Sequence, residues 1–226
     1  RKELVALTGE IKSITNYHHG DESLQQAVIK MGQGFVGGNN IPYIVEDGQF
    51  GTRKEQGKDH SKARYLQTSL EDIIKKIFIN LDNPILTHNY DNGKPIEYSF
   101  YIPIVPMLLV NGSKGMACGF STTIYKYNLV DIIAWIIEWI KLNPILKKDS
   151  NTDYFLNPDN FNIVDRDLIP WYRGFTGKII PKEGGFTFCG NVEEGKNNTF
   201  IINEIPPDIS TNSVKDYLEK IISGKD

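Results

Sequence analysis

The chain has 226 residues, of which 40% are hydrophobic and 23% charged, with a formal net charge of −3. That length allows one large or two smaller domains, and the composition is that of a globular protein, not a disordered or collagen-like one. Two cysteines, Cys118 and Cys189, are too few for a disulfide framework or a cysteine-rich zinc site, and the most apolar run, NLVDIIAWIIEWIKL, is too short and too interrupted by Asp131 and Glu138 to span a bilayer.

No secretory signal is visible. The first residue is Arg1, and the final SGKD follows a helical pattern without a clear end, so the expectation is a piece of a longer chain. The sequons at Asn111 and Asn197 read as accidental.

Residues 1–15 are mixed and suit a helix end or a short connection. Leu24, Ala27, Val28, Met31 and Phe35 then recur at helical spacing, which predicts a helix over roughly 22–35 with a core-packing face. Asp21 or Ser23 is the candidate cap, and Gly37 and Gly38 the stop. Residues 39–67 read mostly as loop, with IPYIVE as a short strand. A second helix is expected over 69–79, where Leu70, Ile73, Ile74 and Ile77 form a face. Two helices with a basic loop suit a winged-helix unit.

From 80 to 128 tyrosine, proline and glycine become common. YSFYIPIVPMLLV reads as strands interrupted by Pro103 and Pro106, and NGSKGMACGFSTT as a glycine-rich loop. A helix is expected over 129–142 and a polar linker over 143–160. Short strands follow near FNIV, GKII, FTFCG and TFIINEI, and a last helix begins near Ser213. The fold class is therefore mixed α/β (α+β), with its main division near 128–160.

The chemistry centres on Tyr65. Its approach, GQFGTRKEQGKDHSKARY, holds Arg53, Lys54, Lys58, Lys62 and Arg64 against only Glu55 and Asp59, a positive patch in an acidic chain. A tyrosine beside arginines can attack a phosphodiester. Free tyrosine, with a pKa near ~10, is a poor nucleophile at neutral pH, so something must take its proton or stabilise the phenolate. Arg64 and Arg53 can bind phosphate oxygens through their rigid forks and stabilise a pentavalent transition state. His18 or His19 can shuttle a proton or hold a phosphate oxygen.

Taken singly, each of these features has a plainer reading. Tyr65 would be a surface or packing tyrosine, the arginines surface cations, the histidines a helix start and Asn39–Asn40 a polar turn, with Asn40 in context a holder of the loop. NGSKG resembles a phosphate-cradling turn, but the P-loop pattern is absent, which argues against nucleotide binding. Lys114 and Lys126 are candidate phosphate contacts, and both cysteines read as inert thiols. Asp153, Asp159, Asp165 and Asp167 read as turn or surface acids. Two other function classes are a non-catalytic DNA-binding and bending module, and a metal-dependent nuclease. The second lacks any HxH, ExK or paired-carboxylate cluster.

GQFGTR, then GKD, then RY, with YHHGDESLQQ and FVGGNN upstream and PWYRGFTGKI and NEIPPDISTNSVKDYLE downstream, resembles the type IIA DNA topoisomerases over nearly the whole chain. YHHG and GGNN resemble the eukaryotic-type enzymes more than gyrase. DHSKARY, where cellular members carry a serine- and proline-containing approach, is most similar to the African swine fever virus branch. The resemblance implies part of the breakage–reunion core: a winged-helix domain over 1–128 and a partial tower domain over 129–226. It places Tyr65 at the DNA-linking tyrosine, Arg64 at the adjacent arginine, Arg53 at the arginine of GQFGTR and His19 at the last histidine of YHHG. Ile179 falls at the isoleucine that wedges between base pairs, an element that kinks a duplex and reads bendability more than base identity. Lys62, Lys58, His18, Arg173 and Lys178 are the expected further contacts to double-stranded DNA.

The same resemblance implies a 5′-phosphotyrosyl link, staggered cuts by two tyrosines of a homodimer, and passage of a second duplex. It also implies Mg²⁺ held by a separate TOPRIM domain and ATP by a separate ATPase domain, no metal ligands in this chain, no membrane partner, and little cleavage by the segment alone. The implied place of action is host cytoplasm for a viral member and the nucleus otherwise.

Overall fold

The structure is a computed structural model and describes residues 1–143 and 161–224. Beyond Asn143, the linker expected over 143–160, with Asp153 and Asp159, lies outside the described residues. The elements in chain order are β1 (Lys2–Glu3), α1 (Leu4–Thr15), α2 (Asp21–Gly32), β2 (Gln67–Thr68), α3 (Asp72–Ile77), β3 (His88–Asp91), β4 (Lys94–Tyr98), α4 (Met107–Asn111), β5 (Ser113–Ala117), β6 (Phe120–Ile124), α5 (Leu129–Leu142), β7 (Lys178–Lys182), β8 (Gly185–Cys189), β9 (Asn191–Glu194), β10 (Phe200–Glu204) and α6 (Thr211–Ser223). Each strand pairs antiparallel with one partner: β1 with β2, β3 with β4, β5 with β6, β7 with β8, and β9 with β10. This is a mixed α/β chain. Residues 1–104 and 172–226 form one compact unit, and 105–171 form a second.

The first unit is built on Leu4, Val28, Ile29, Ile44, Phe50, Ala63 and Leu66, with Leu7, Ile11, Leu24 and Tyr43 packed against them. The mixed N-terminal stretch is a full helix. Leu4, Leu7, Thr8 and Ile11 share one face of α1, and the buried Thr8 hydroxyl donates to Val5 O, so the polar side chain is satisfied locally. α1 ends at Asn16 in the left-handed conformation.

α2 differs from expectation in its face and its cap. It stops at Gly32, and the buried set is Val28, Ile29 and Gly32, with Leu24 half-buried. Met31 is 46% exposed, and Ala27 is exposed as well. Gly32 sets this rotation: a Cβ there would lie 2.9 Å from Phe50 Cδ1, so only glycine lets that ring close over the helix. The cap position is Gly20, with no side-chain cap, and Asp21 instead pairs with Lys12 at 2.5 Å.

IPYIVE forms one isolated bridge, Ile44–Leu70, with a second just after it at Asp47–Gln67, and is not a strand. The helix expected over 69–79 is confined to α3, which buries Ile74 and Ile77 and leaves Leu70 exposed. β3 and β4 form a hairpin closed by Asn92 and Gly93, both at positive φ, the pair that a tight primed turn requires.

In the second unit the strands expected through YSFYIPIVPMLLV are absent after Tyr98. Pro103 and Pro106 each lack a ladder donor, and MLLVN winds into α4, with Pro106 O accepting from Leu109 N and Val110 N (Pro103 itself belongs to the first unit). The glycine-rich NGSKGMACGFSTT is the β5–β6 hairpin, not a loop. α5 matches the helix expected over 129–142, capped by Asn128 accepting from Val130 N at 2.9 Å. FNIV is not a strand; the Asn143 side chain holds the Asn162 backbone there instead, donating from Nδ2 to Asn162 O at 3.2 Å and accepting at Oδ1 from Asn162 N at 2.7 Å.

Back in the first unit, the other three expected strands are present as β7, β8 and β10. α6 begins at Thr211 and is capped by Ser210, whose hydroxyl accepts from Ser213 N.

Phe50 is 1% exposed and fills the space that Gly32 leaves. Phe50→Ala is expected to cost about 3–5 kcal/mol in chemical denaturation of this chain. A loss below about 1 kcal/mol would mean that the aromatic side chain is not the centre of this core.

Candidate functional site

Tyr65 closes a 3-10 turn, Ala63–Tyr65, entered and left by extended residues. Its two flanks are anchored: Ala63 and Leu66 are buried in the core, and Leu66 O accepts from Leu4 N at 2.9 Å. Tyr65 N donates to Lys62 O at 2.9 Å and Leu66 N to Ala63 O at 3.2 Å. With the residues on either side drawn inward, the phenol faces out and is 68% exposed. Gly48 makes the close backbone approach possible. It has a φ of +106°, and a Cβ there would lie 3.0 Å from Tyr65 O.

The Arg64 guanidinium carbon lies 5.8 Å from the Tyr65 ring centroid, within cation–π range. Arg64, Lys54, Lys58 and Lys62 are exposed, and among the described residues no carboxylate pairs with them. An open cleft of about 670 Å³ runs beside this turn, lined by Lys62, Ala63, Arg64 and His60 on one side and by Asp21, Glu22 and Gln25 of α2 on the other.

Arg53 is placed differently from Arg64. Its side chain is only 21% exposed and turned into the protein. Nη1 pairs with Glu204 Oε1 at 2.6 Å, Nη2 donates to Ile205 O at 2.5 Å, and Nε is buried with no hydrogen-bond partner. The phosphate fork expected at Arg53 is thus engaged by protein groups. The surrounding loop is braced as well. Thr52 donates to both carboxylate oxygens of Asp59, through N at 2.7 Å and Oγ1 at 2.5 Å. Burial pushes the Asp59 carboxyl up, but these bonds outweigh it and hold it below its ordinary 3.8. The buried Gln33 amide donates to Phe50 O and Gly57 O, so one side chain joins both ends of the loop.

Glu204, 6% exposed, is the acid that meets Arg53. Its Oε1 also accepts from Ile205 N at 3.0 Å, and its Oε2 from Thr176 N at 3.0 Å and Thr176 Oγ1 at 2.9 Å. Burial raises its pKa. The bonds from Thr176, Arg53 and Ile205 more than offset that, and the carboxyl sits below its ordinary 4.5.

The other expected residues are spread around the first unit. His19 is exposed and stacks edge-on with Tyr17 at 5.3 Å; among the described residues no hydrogen bond joins it to Tyr65. His18 Nε2 lies 3.7 Å from Asp91 Oδ2. Asn40 is buried and its Oδ1 accepts from Arg173 N, while Arg173 Nη2 donates to Gly34 O. Arg173 is thus partly committed to bracing the FVGGNN turn. Lys178 is exposed at the start of β7, and Ile179 is half-buried in it, opposite Phe188.

Lys114 is exposed on β5 of the second unit, and Asp165 and Asp167 are exposed there too. Cys118 and Cys189 are free thiols. Among the described residues no group of three or more His, Cys, Asp or Glu side chains can hold a metal ion, and no helix is long and apolar enough to cross a membrane.

Sequence reasoning missed Glu204, Thr176, Asp59 and Gln33. The available signal was Glu204 itself, a lone acid ending the apolar strand TFIINEI.

All 226 residues match the family model for the A subunit of DNA gyrase/topoisomerase IV, and the chain belongs to that family. It is a piece of a breakage–reunion core of the eukaryotic type. DNA topoisomerase 2, mitochondrial, of Dictyostelium discoideum is 38% identical over 96% of this chain and 15% of its own length. DNA topoisomerase 2 of Acanthamoeba polyphaga mimivirus is 37% identical over 96% of this chain and 16% of its own. The solved Plasmodium falciparum topoisomerase II DNA-binding, cleavage and re-ligation domain superposes with a TM-score of 0.82 at 36% identity, over 97% of this chain and 28% of that one. The chain therefore corresponds to part of the cleavage and re-ligation region and spans about 15% of the length of the relatives it matches. Cellular and viral relatives match about equally well, so no viral branch is singled out.

Because the folded-state pKa of Glu204 is below 4.5, the stabilisation it supplies is fully present above that value and is lost as pH falls through the lower folded value. Wild type is therefore expected to melt well above Glu204→Gln at about pH 6, with the gap closing towards about pH 3. A gap that stays constant would mean that the Glu204 charge is not what the fold uses.

Proposed function

We propose that this segment is the DNA-cleaving part of an ATP-dependent type II topoisomerase, with Tyr65 as the attacking nucleophile. The observation that carries the reading is an exposed phenol on a turn anchored at both flanks, with Arg64 beside its ring and free lysines around it. The Tyr65 oxygen attacks a backbone phosphorus and the bond to the 3′-oxygen breaks. The product is a 5′-phosphotyrosyl ester and a free 3′-hydroxyl. The phenol proton leaves to His19 or to water, and the 3′-oxygen takes up a proton in turn. The ester keeps the bond energy, so the reverse attack by the 3′-hydroxyl reseals the strand without a ligase.

Arg64 supplies positive charge where the pentavalent transition state gathers negative charge. Arg53 holds the loop in register through Glu204 and Ile205. Lys58, Lys62, His18, Arg173 and Lys178 meet phosphates, and Ile179 enters a base step of a bent duplex.

Two copies in a homodimer cut both strands and open a gate for a second duplex. Mg²⁺ belongs in this reading to a TOPRIM domain and ATP to an ATPase domain, both outside these residues. The isolated segment should be inactive. The winged-helix part over 1–128 and the tower part over 129–226 are functional divisions of this reading. DHSKARY supports a viral member, of the African swine fever virus branch, acting in host cytoplasm at sites of viral replication; a cellular member acts in the nucleus.

Full-length protein with supercoiled DNA and Mg²⁺, denatured rapidly, should yield a 5′-linked adduct that falls more than ~1,000-fold in Tyr65→Phe while DNA binding persists. Cleavage that survives in the variant would reduce this segment to DNA positioning. Lys62→Ala should weaken binding alike on all sequences and lower the salt slope by about 0.9. An unchanged slope would remove Lys62 from the phosphate path.

A further inference from the structure

We propose that Glu204 is a positioning residue that couples the strand carrying Ile179 to Arg53, so that bending of DNA is sensed at the tyrosine loop. This rests on the cleavage reading above.

The two oxygens of one buried carboxylate serve two different parts of the chain. Oε2 takes both donors of Thr176, which lies in the FTGKI run two residues before β7. Oε1 takes Arg53 Nη1 of the GQFGTR loop. The local backbone builds this arrangement: the β9–β10 register slips between Ile202 and Glu204, and such a bulge re-aims a side chain.

The segment after Glu204 extends the grip. Ile205 O accepts from Arg53, Pro207 O accepts from Gln56 at 3.2 Å, and Asn212 donates to Glu55. A Cβ at Gly37 would lie 2.3 Å from Pro207 O, so NEIPP is seated directly on the FVGG turn.

Arg53 is nevertheless incompletely satisfied, because its buried Nε has no partner. A buried donor without an acceptor favours any rearrangement that supplies one. Movement of β7 as Ile179 enters a base step pulls on Thr176, shifts the shared carboxylate and re-aims Arg53 towards a phosphate oxygen that can accept from its free donor. The Arg53 expected from sequence as a phosphate ligand and the Arg53 found bonded to Glu204 are then two positions of one side chain. A purely structural ion pair would hold the loop but would leave the preference for flexible DNA unchanged when the link through Thr176 is cut.

The test uses full-length protein in single-turnover cleavage, with DNA bending followed by energy transfer between end labels. Wild type should cleave a site with flexible pyrimidine–purine steps at least ~10-fold better than one centred on a stiff A-tract. Thr176→Val keeps the ion pair and removes one link to the wedge strand; that preference should shrink at least ~3-fold. Glu204→Gln should cut cleavage at least ~10-fold while bending and affinity hold within about twofold, and Glu204→Gln with Arg53→Ala should be no worse than the weaker single variant.

Equal losses on flexible and stiff DNA, or effects of Glu204→Gln and Arg53→Ala that multiply, would overturn the coupling even with the Tyr65→Phe adduct absent. An adduct that persists in Tyr65→Phe would overturn both the cleavage reading and this inference. If Glu204→Gln does not fold, the Thr176→Val preference decides alone.

Discussion

A buried arginine–carboxylate pair holds the tyrosine loop to the rest of its unit. Glu204 and Arg53 are each costly to bury alone, and together they are tolerable only because Thr176 and Ile205 fill the remaining acceptor sites of the carboxylate. The pair fixes the loop at Arg53, Thr52 and Asp59 tie it together across residues 52–59, and the Gln33 amide joins Phe50 to Gly57. A glycine-rich stretch with few contacts of its own thereby becomes a rigid platform. The same stretch without these polar ties would sample many conformations, since glycine loses more freedom on ordering than any other residue.

The cations near Tyr65 divide into two kinds. Arg53 and Arg173 spend their donors on carbonyls and a carboxylate, and so act first on the protein. Arg64, Lys54, Lys58 and Lys62 are exposed without acidic partners among the described residues, and so remain available to a polyanion. This explains how a chain with a net charge of −3 can present a locally positive face. Local charge, not the total, sets the field that a duplex meets.

Legibility from sequence followed the locality of the forces. α5 was readable because its apolar stripe is long and Asn128 caps it. The α2 face was misread because the helix stops at Gly32, where it packs against Phe50, a residue distant in sequence. The hairpin over 113–124 and the short α4 were missed because glycine and proline mark turns without saying what lies between them. Tyr65 and Arg64 stood out through GQFGTR and RY, and their exposed, adjacent placement suits the chemistry read from them. Glu204 did not stand out, because its meaning depends on a bulge that turns it inward and on partners from two distant stretches.

The most direct test of the account is to find the atom that carries the DNA. Full-length protein would be trapped on cleaved DNA, digested with nuclease and then with trypsin, and sequenced by mass spectrometry. Trypsin cuts after Arg64, so the peptide from Tyr65 to Lys75 holds a single tyrosine. The account predicts a nucleotide joined through its 5′-phosphate to that tyrosine. A nucleotide on any other residue, or one joined through a 3′-phosphate, would contradict it.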